Sequence, residues 1–158
     1  AGGNGQFPRP GVSLNKDVSN FASVTNSVAI TVANGGTNIG DALYTAKDMI
    51  VNQKRIGSKR AIILFTDGQP TEPGYNPSSY ARTAAGAVRD QGIPIYTIGL
   101  AQNSSIIPGE VNTLNDDPNK PVTYVNESGQ TMTYTPGTSY PGVSYIAGNG
   151  GKFFLVTD

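Results

Sequence analysis

The sequence predicts an α/β fold built around a parallel β-sheet. Two segments with helical spacing of apolar residues, 37–55 and 78–91, are each followed within a few residues by a short apolar run, 61–65 and 93–98. Gly57 and Gly92 lie between helix and strand in the two cases, and glycine ends a helix without steric cost because it adopts the left-handed conformation freely. Helices that alternate with buried strands over short connections are typical of βαβ crossovers, and these produce parallel sheets.

The first third of the chain is predicted to hold a loop and two helices. Residues 1–13 are rich in Gly and Pro, which favours a loop. Residues 15–30 carry Val18, Phe21, Val24 and Val28 at three- and four-residue steps and are predicted to be helical. A second helix is predicted over 37–55, with Thr37 as its N-cap. Its apolar stripe consists of Ile39, Leu43, Ala46 and Ile50.

The strands are predicted from apolar runs bounded by turn residues. The run 61–65 is continuous, which predicts a strand buried on both faces of the sheet, and it ends at Thr66-Asp67-Gly68. A third helix over 78–91 leads to the strand 93–98, and residues 152–156 form the last predicted strand.

Residues 101–150 interrupt this alternation and are predicted to be a β-rich insert. The region has five Pro-containing turns or bends, at Pro108, Pro118, Pro121, Pro136 and Pro141, and several Asn and Gly residues. Two short β-prone pieces, 122–125 and 131–134, flank the turn 126–130 and predict a hairpin. At 158 residues the chain has the length of one domain, so we expect residues 1–158 to form a single domain that contains this insert.

Composition excludes several function classes. The chain has no His and no Cys, which removes histidine bases, thiolate nucleophiles, disulfides and the common zinc sites. Eleven basic residues balance eleven acidic ones, so no net charge attracts nucleic acid or an anionic membrane. No apolar stretch is long enough to span a bilayer. A bound metal would have to be a hard cation held by oxygen ligands.

Two polar loops are the best candidates for a site. Ligands of open α/β sheets bind at the carboxyl ends of the strands, beside loops that lead into helices. The loop Gly35–Gly40 opens the predicted helix, and the loop Thr66–Thr71 places the Asp67 carboxylate directly after an apolar strand. Together they offer one anionic and one neutral oxygen ligand.

These loops resemble those of the von Willebrand factor A domain. Gly36–Leu43, with the sequence GTNIGDAL, is similar to the second loop of the family's metal-ion-dependent adhesion site, and Ile62–Gly68, IILFTDG, is similar to the third. Pro94–Gly99, PIYTIG, and Gly150–Phe154, GGKFF, resemble the family's fifth and sixth strands. The resemblance covers about residues 12–100 and 148–158, and it implies a Rossmann-like parallel-sheet sandwich.

The resemblance also implies a function. Thr37 and Asp67 would be ligands of Mg²⁺, or of Mn²⁺ or Ca²⁺, and Gly36, Asn38 and Gly68 would surround them. A family member of this kind is a non-enzymatic adhesion or assembly module, in which a carboxylate of a protein partner completes the metal's coordination. The sequence is most similar to bacterial envelope members, including those associated with Tad-type pilus assembly, which implies a position on the cell surface.

One family motif does not occur in this sequence. No Asp-x-Ser-x-Ser is present, and the nearest approach, Asp17-Val-Ser19, lies within a predicted helix. Against the family pattern, the opening strands and the final helix are also absent. We therefore expect a partial domain that belongs to a longer chain or is completed by a second one, as a homo-oligomer or a complex.

Other interpretations of the same residues stay open. Asp67 before Gly68 is also a common turn pair, Thr37 also suits a plain N-cap, and Asp41 is explained by the helix dipole alone. A metal-independent structural subunit of a surface appendage or filament is a second functional hypothesis. A third is a phosphotransferase of the haloacid-dehalogenase type, since Asp67 and Thr71 have its Asp-to-Thr spacing, although Gln69 replaces the expected general acid.

Overall fold

A computed structural model describes residues 36–52, 57–66, 69–101, 103–117, 119–136 and 145–157. Three helices and five strands lie in these ranges. The helices are α1 (Ile39–Asn52), α2 (Pro77–Arg89) and α3 (Ile107–Leu114). The strands are β1 (Ile62–Thr66), β2 (Ile95–Ala101), β3 (Val122–Val125), β4 (Thr131–Tyr134) and β5 (Lys152–Thr157).

The predicted parallel sheet is present. Strands β1, β2 and β5 form a three-stranded parallel sheet in the order β1-β2-β5. Ile62 of β1 pairs with Ile95 of β2, and Ile98 of β2 pairs with Phe154 of β5. A helix separates β1 from β2 along the chain, as the alternation of periodic segments predicted. The α/β class is therefore confirmed.

One face of the sheet packs against helices. Along β2 every second residue is buried, from Ile95 to Ala101, and Thr97 donates a 2.8 Å hydrogen bond from its hydroxyl to the carbonyl oxygen of Leu114 in α3. The core consists of this face together with the apolar sides of the helices, which include Leu43 of α1, Val88 of α2 and Val111 of α3. Burial of these side chains is the main stabilising contribution to the fold.

The opposite face of the sheet corrects one prediction. The run 61–65 was expected to be buried on both faces, but Ile63 is 70% exposed and Phe65 is 64% exposed. Phe154 and Val156 of β5 are each 47% exposed. Side chains of a strand alternate between faces, so these residues share the face that α2 and α3 do not cover. The apolar run therefore reflects a strand with one covered face among the described residues.

The region 101–150 contains the predicted hairpin and a helix that was not predicted. Strands β3 and β4 pair antiparallel, with Val122 opposite Tyr134 and Val125 opposite Thr131, as expected. Helix α3 begins at Ile107 and has Pro108 in its first turn, where the missing amide proton costs no hydrogen bond. Pro108 is one of the five prolines predicted to lie in turns or bends, although Ile107, Val111 and Leu114 have helical spacing and are buried.

The segment before β5 is tied to α2. The Arg89 Nη1 atom donates hydrogen bonds to the carbonyl oxygens of Tyr145 (2.8 Å) and Ile146 (2.6 Å), and burial lowers the pKa of Arg89. Arg89 is the last residue of α2, where a cation also interacts favourably with the helix dipole. This contact fixes the start of β5 against the helical layer.

Several predictions lie outside the described residues. They are the loop 1–13, the helix 15–30, the turn Asp67-Gly68 and the end of the helix predicted over 37–55. None of the helices in the described ranges has the length and apolar character needed to cross a membrane.

Candidate functional site

The loop that precedes α1 is fixed by Asn38. The Asn38 Oδ1 atom accepts a 3.0 Å hydrogen bond from the Asp41 backbone N–H, and its carbonyl oxygen accepts one from Ala42 N–H at 3.3 Å. Asn38 is therefore the N-cap of α1, and the prediction of Thr37 in that role was wrong. The neighbouring residue Thr37 is instead engaged in a contact with a distant loop.

That contact joins Thr37 to the loop that follows β1. The Thr37 N–H donates to Thr71 Oγ1 at 2.8 Å. The Thr37 carbonyl oxygen accepts hydrogen bonds from the backbone N–H groups of Thr71 (2.8 Å) and Glu72 (3.1 Å). Both backbone polar groups of Thr37 are thus hydrogen-bonded to Thr71 or Glu72. These two residues lie 34 and 35 positions later in the chain, shortly after Asp67.

Glycine at position 36 allows the two loops to approach. A Cβ atom on Gly36 would lie 2.6 Å from Glu72 Cγ and 3.0 Å from Thr71 Oγ1. The Glu72 side chain therefore occupies the space beside the Gly36-Thr37 peptide. A carboxylate that the sequence analysis did not single out is placed next to a predicted metal ligand.

Asp41 is held by two side chains. It accepts hydrogen bonds from Asn38 Nδ2 (2.7 Å) and from the hydroxyl of Tyr80 in α2 (2.5 Å). The bond to Asp41 raises the pKa of Tyr80 to about 12, and burial adds to the shift. Asp41 lies in the first turn of α1, as the dipole argument predicted, but its bond to Tyr80 also links α1 to α2.

The carboxyl ends of β1 and β2 lie beside α3. Thr66, the last residue of β1, pairs with Gly99 of β2. The buried carboxylate of Glu110 in α3 packs directly against Gly99, and the Gln69 side chain packs against Gly109. The loop that follows β1 is therefore supported on one side by α3 and on the other by the Thr37 loop. Asp67 and Gly68 themselves lie outside the described residues.

The chemistry of these loops fits a hard cation in part. Residues 36–46 and 61–81 contain the carboxylates Asp41, Asp67 and Glu72 and no Lys or Arg. Hydroxyl and carboxylate oxygens are the ligands that Mg²⁺ and Ca²⁺ prefer. However, no group of three or more acidic side chains placed to hold a metal ion occurs among residues 36–52, 57–66 and the later described ranges. Thr37 and Asp67 would need further oxygen ligands.

Comparison with known families decides the classification. The family model of the von Willebrand factor type A domain matches residues 3–135. The chain belongs to this family. Von Willebrand factor A domains mediate protein–protein adhesion, are typically non-enzymatic, and often bind a divalent metal. The match begins before residue 12 and includes the β3–β4 hairpin, and it does not include residues 148–158, which the resemblance in sequence motifs covered.

A curated relative points to the same family. The chain is 39% identical over 66 residues to the collagen alpha-4(VI) chain of Mus musculus. The aligned segment covers 42% of this von Willebrand factor A domain and 3% of the collagen chain. No solved structure matches the sequence significantly.

The structure brings together part of the predicted site. Gly36 and Thr37 lie against Thr71 and Glu72, which follow Asp67 in the chain, whereas Asn38 contacts the first turn of α1. The contributions of Thr71, Glu72 and Tyr80 were missed. The sequence indicated that Thr71 and Glu72 lie in the loop after β1, but no pattern indicates that Tyr80 contacts Asp41 across 39 positions.

Proposed function

We propose that this von Willebrand factor A domain is a non-enzymatic adhesion or assembly module that binds a protein partner through a divalent cation. The cation would be Mg²⁺, or Mn²⁺ or Ca²⁺, with Thr37 and Asp67 as ligands and with Gly36, Asn38 and Gly68 around them. The observation that supports this proposal best is the set of hydrogen bonds between Thr37 and residues 71–72, because it joins the two loops that carry the proposed ligands.

In this proposal the chain's own residues perform limited tasks. Thr37 and Asp67 supply one neutral and one anionic oxygen, and the absence of Lys and Arg from both loops keeps the local charge suitable for a cation. The cation, when bound, would attract a carboxylate of the protein partner. The further ligands would come from an Asp-x-Ser-x-Ser segment, which the printed sequence does not contain, in the same protein or in a complementing chain.

The position of the module and the choice of partner belong to the same proposal. The similarity of its motifs to those of bacterial envelope proteins supports a position on the cell surface, as in pilus assembly. Residues 101–150, including the exposed β3–β4 hairpin, would contact the partner and determine its identity.

Calorimetric titration with Mg²⁺ tests the proposal. We expect the wild-type protein, together with the segment or chain that supplies the further ligands, to bind Mg²⁺, and we expect Asp67→Asn and Thr37→Val to weaken binding strongly because each removes a ligand. Asp48→Asn is the matched control for Asp67→Asn, because it also removes one negative charge. Asp48 is an exposed carboxylate on α1 that pairs with Lys47. Equal loss of affinity in Asp67→Asn and Asp48→Asn, with no loss in Thr37→Val, would show that only net charge matters and would refute the assigned ligands.

A metal-independent structural subunit is the second candidate function. The observation that favours it is the exposed apolar face formed by Ile63, Phe65, Phe154 and Val156. We infer that a second copy of the chain would cover this face, because the chain carries no net charge that would repel its copies. Sedimentation velocity in EDTA distinguishes the candidates. A dimer that persists in EDTA and dissociates in Phe65→Ser supports the structural role, and a monomer refutes it.

A further inference from the structure

Thr71 contacts Thr37 with both its side chain and its backbone. Its Oγ1 atom accepts the Thr37 N–H at 2.8 Å, and its own N–H donates to the Thr37 carbonyl oxygen, also at 2.8 Å. Thr71 is exposed, but the preceding residue Pro70 is buried. Burial of Pro70 therefore holds the backbone of Thr71 in place, and the Thr71 hydroxyl is presented from this backbone.

Thr37 is fixed from both directions along the chain. On one side, Asn38 caps α1 and determines where the helix begins. On the other, Gly36 packs against Glu72 so closely that a Cβ atom would contact Glu72 Cγ at 2.6 Å. The Thr71 hydroxyl is the side-chain group that holds the Thr37 N–H between these two contacts. Without it, that N–H would bond to water, and the Gly36-Thr37 peptide could move away from the loop after β1.

We propose that Thr71 is a positioning residue, which holds Thr37 against the described part of the loop that follows β1. This inference rests on the proposed metal function, since it concerns how two ligands on separate loops are kept together. Binding is tighter when ligands are held in place before the ion arrives, because less ordering is required on binding. The role of Thr71 is independent of whether its own oxygen contacts a metal.

The expected loss of Mg²⁺ affinity follows from the hydrogen bond between the Thr37 N–H and Thr71 Oγ1. An intramolecular hydrogen bond of this kind changes an equilibrium constant by about three- to tenfold. Thr71→Val keeps the shape of the side chain and removes the acceptor, so we expect it to weaken Mg²⁺ binding by about three- to tenfold. Thr71→Ser keeps the hydroxyl, so its affinity should stay within about twofold of the wild type.

The experiment compares four forms of the protein, each together with the segment or chain that supplies the further ligands. Wild type, Thr71→Val, Thr71→Ser and Thr71→Cys are titrated with Mg²⁺ by calorimetry, and the urea midpoint of each is measured in EDTA. Thr71→Cys provides a graded case because a thiol is a weaker acceptor than a hydroxyl, and it keeps the test informative if Thr71→Val does not fold. Hydrogen exchange of the Thr37 amide reports the bond directly.

We expect Mg²⁺ affinity to decrease from Thr71→Ser to Thr71→Cys to Thr71→Val. The urea midpoints of the four proteins should be nearly equal. Hydrogen exchange of the Thr37 amide should be faster only in the variants that lack the hydroxyl. Wild-type affinity in Thr71→Val would overturn the inference while leaving the proposed function intact. A loss of affinity that follows the urea midpoint and that Ser does not restore would show a merely structural role and would also overturn it. If the wild type binds no Mg²⁺, the proposed function and this inference are both refuted.

Discussion

The hydrogen bond between Tyr80 and Asp41 should make the stability of the domain depend on alkaline pH. The Tyr80 hydroxyl donates a hydrogen bond to Asp41 Oδ1 at 2.5 Å, and this bond raises the pKa of Tyr80 to about 12. Since unfolded tyrosine titrates near 10, the folded chain holds this proton more tightly than the unfolded chain does. The stabilisation is therefore complete below about pH 10 and is lost as the pH rises toward 12.

The shift in the pKa of Tyr80 sets an upper limit on what its bond to Asp41 contributes to the free energy of unfolding. A change from 10.0 to about 12 corresponds to about 3 kcal/mol, because each pKa unit corresponds to about 1.4 kcal/mol. Tyr80 is only partly buried, so solvent screening lowers the contribution to about 1 kcal/mol. Tyr80→Phe removes the hydroxyl and keeps the ring that packs against Tyr44, with centroids 5.9 Å apart. We expect it to lower the free energy of unfolding by about 1 kcal/mol at neutral pH.

Urea unfolding between about pH 7 and pH 11.5 measures this effect. The difference in unfolding free energy between wild type and Tyr80→Phe should be constant up to about pH 10 and should then decrease. Tyr75→Phe is the matched control, because the Tyr75 side chain is 93% exposed and should contribute nothing.

A double-mutant cycle with Asp41→Asn isolates the pair. Most of the cost of Tyr80→Phe should disappear in the Asp41→Asn background, because the charged acceptor is then absent. A difference that is independent of pH, or one that is unchanged in that background, would refute the reasoning.

Three further predictions concern the fold that supports the site. Asn38→Ala should destabilise the domain by about 1 kcal/mol and Thr37→Ala by much less, because Asn38 caps α1; thermal unfolding compares them. Gly151→Ala should lower the free energy of unfolding by about 2–3 kcal/mol, because a Cβ there would overlap two backbone carbonyl oxygens. Gly86 in α2 has open space around it, so Gly86→Ala should be neutral or stabilising in urea unfolding. Arg89→Met should cost about 2–3 kcal/mol in the same assay, because two carbonyl oxygens lose a charged donor; a cost below that of Asn38→Ala would contradict the role assigned to it.

The elements of the fold could be predicted from the sequence wherever local pattern and burial agree. Strand β1 ends at Thr66, one residue beyond the predicted run, and the two strands of the hairpin have the predicted bounds. Helix α3 was missed because Pro108 was assigned to a turn or bend, although proline is well tolerated in the first turn of a helix. Its buried positions, four and three residues apart, carried the signal that could have identified it.

The site was predictable only in outline. The sequence indicated which loops lie at the end of the sheet, because the carboxyl ends of parallel strands share an edge. It did not indicate that the Thr37 N–H would donate a hydrogen bond to Thr71, or that α1 would begin at Ile39, which makes Asn38 and not Thr37 its N-cap. Contacts of this kind depend on how close two loops approach, and here that distance depends on Gly36 and the side chain of Glu72.

The most direct test of the proposed metal site is an NMR titration of the isotope-labelled chain with Mn²⁺. A bound Mn²⁺ ion is paramagnetic and broadens the amide signals of residues that lie near it. The account predicts selective broadening at residues 36–38 and 69–72, reversed by excess Mg²⁺ and absent in Asp67→Asn. Broadening that is spread over the exposed carboxylates, or that persists unchanged in Asp67→Asn, would contradict a metal site at Thr37 and Asp67.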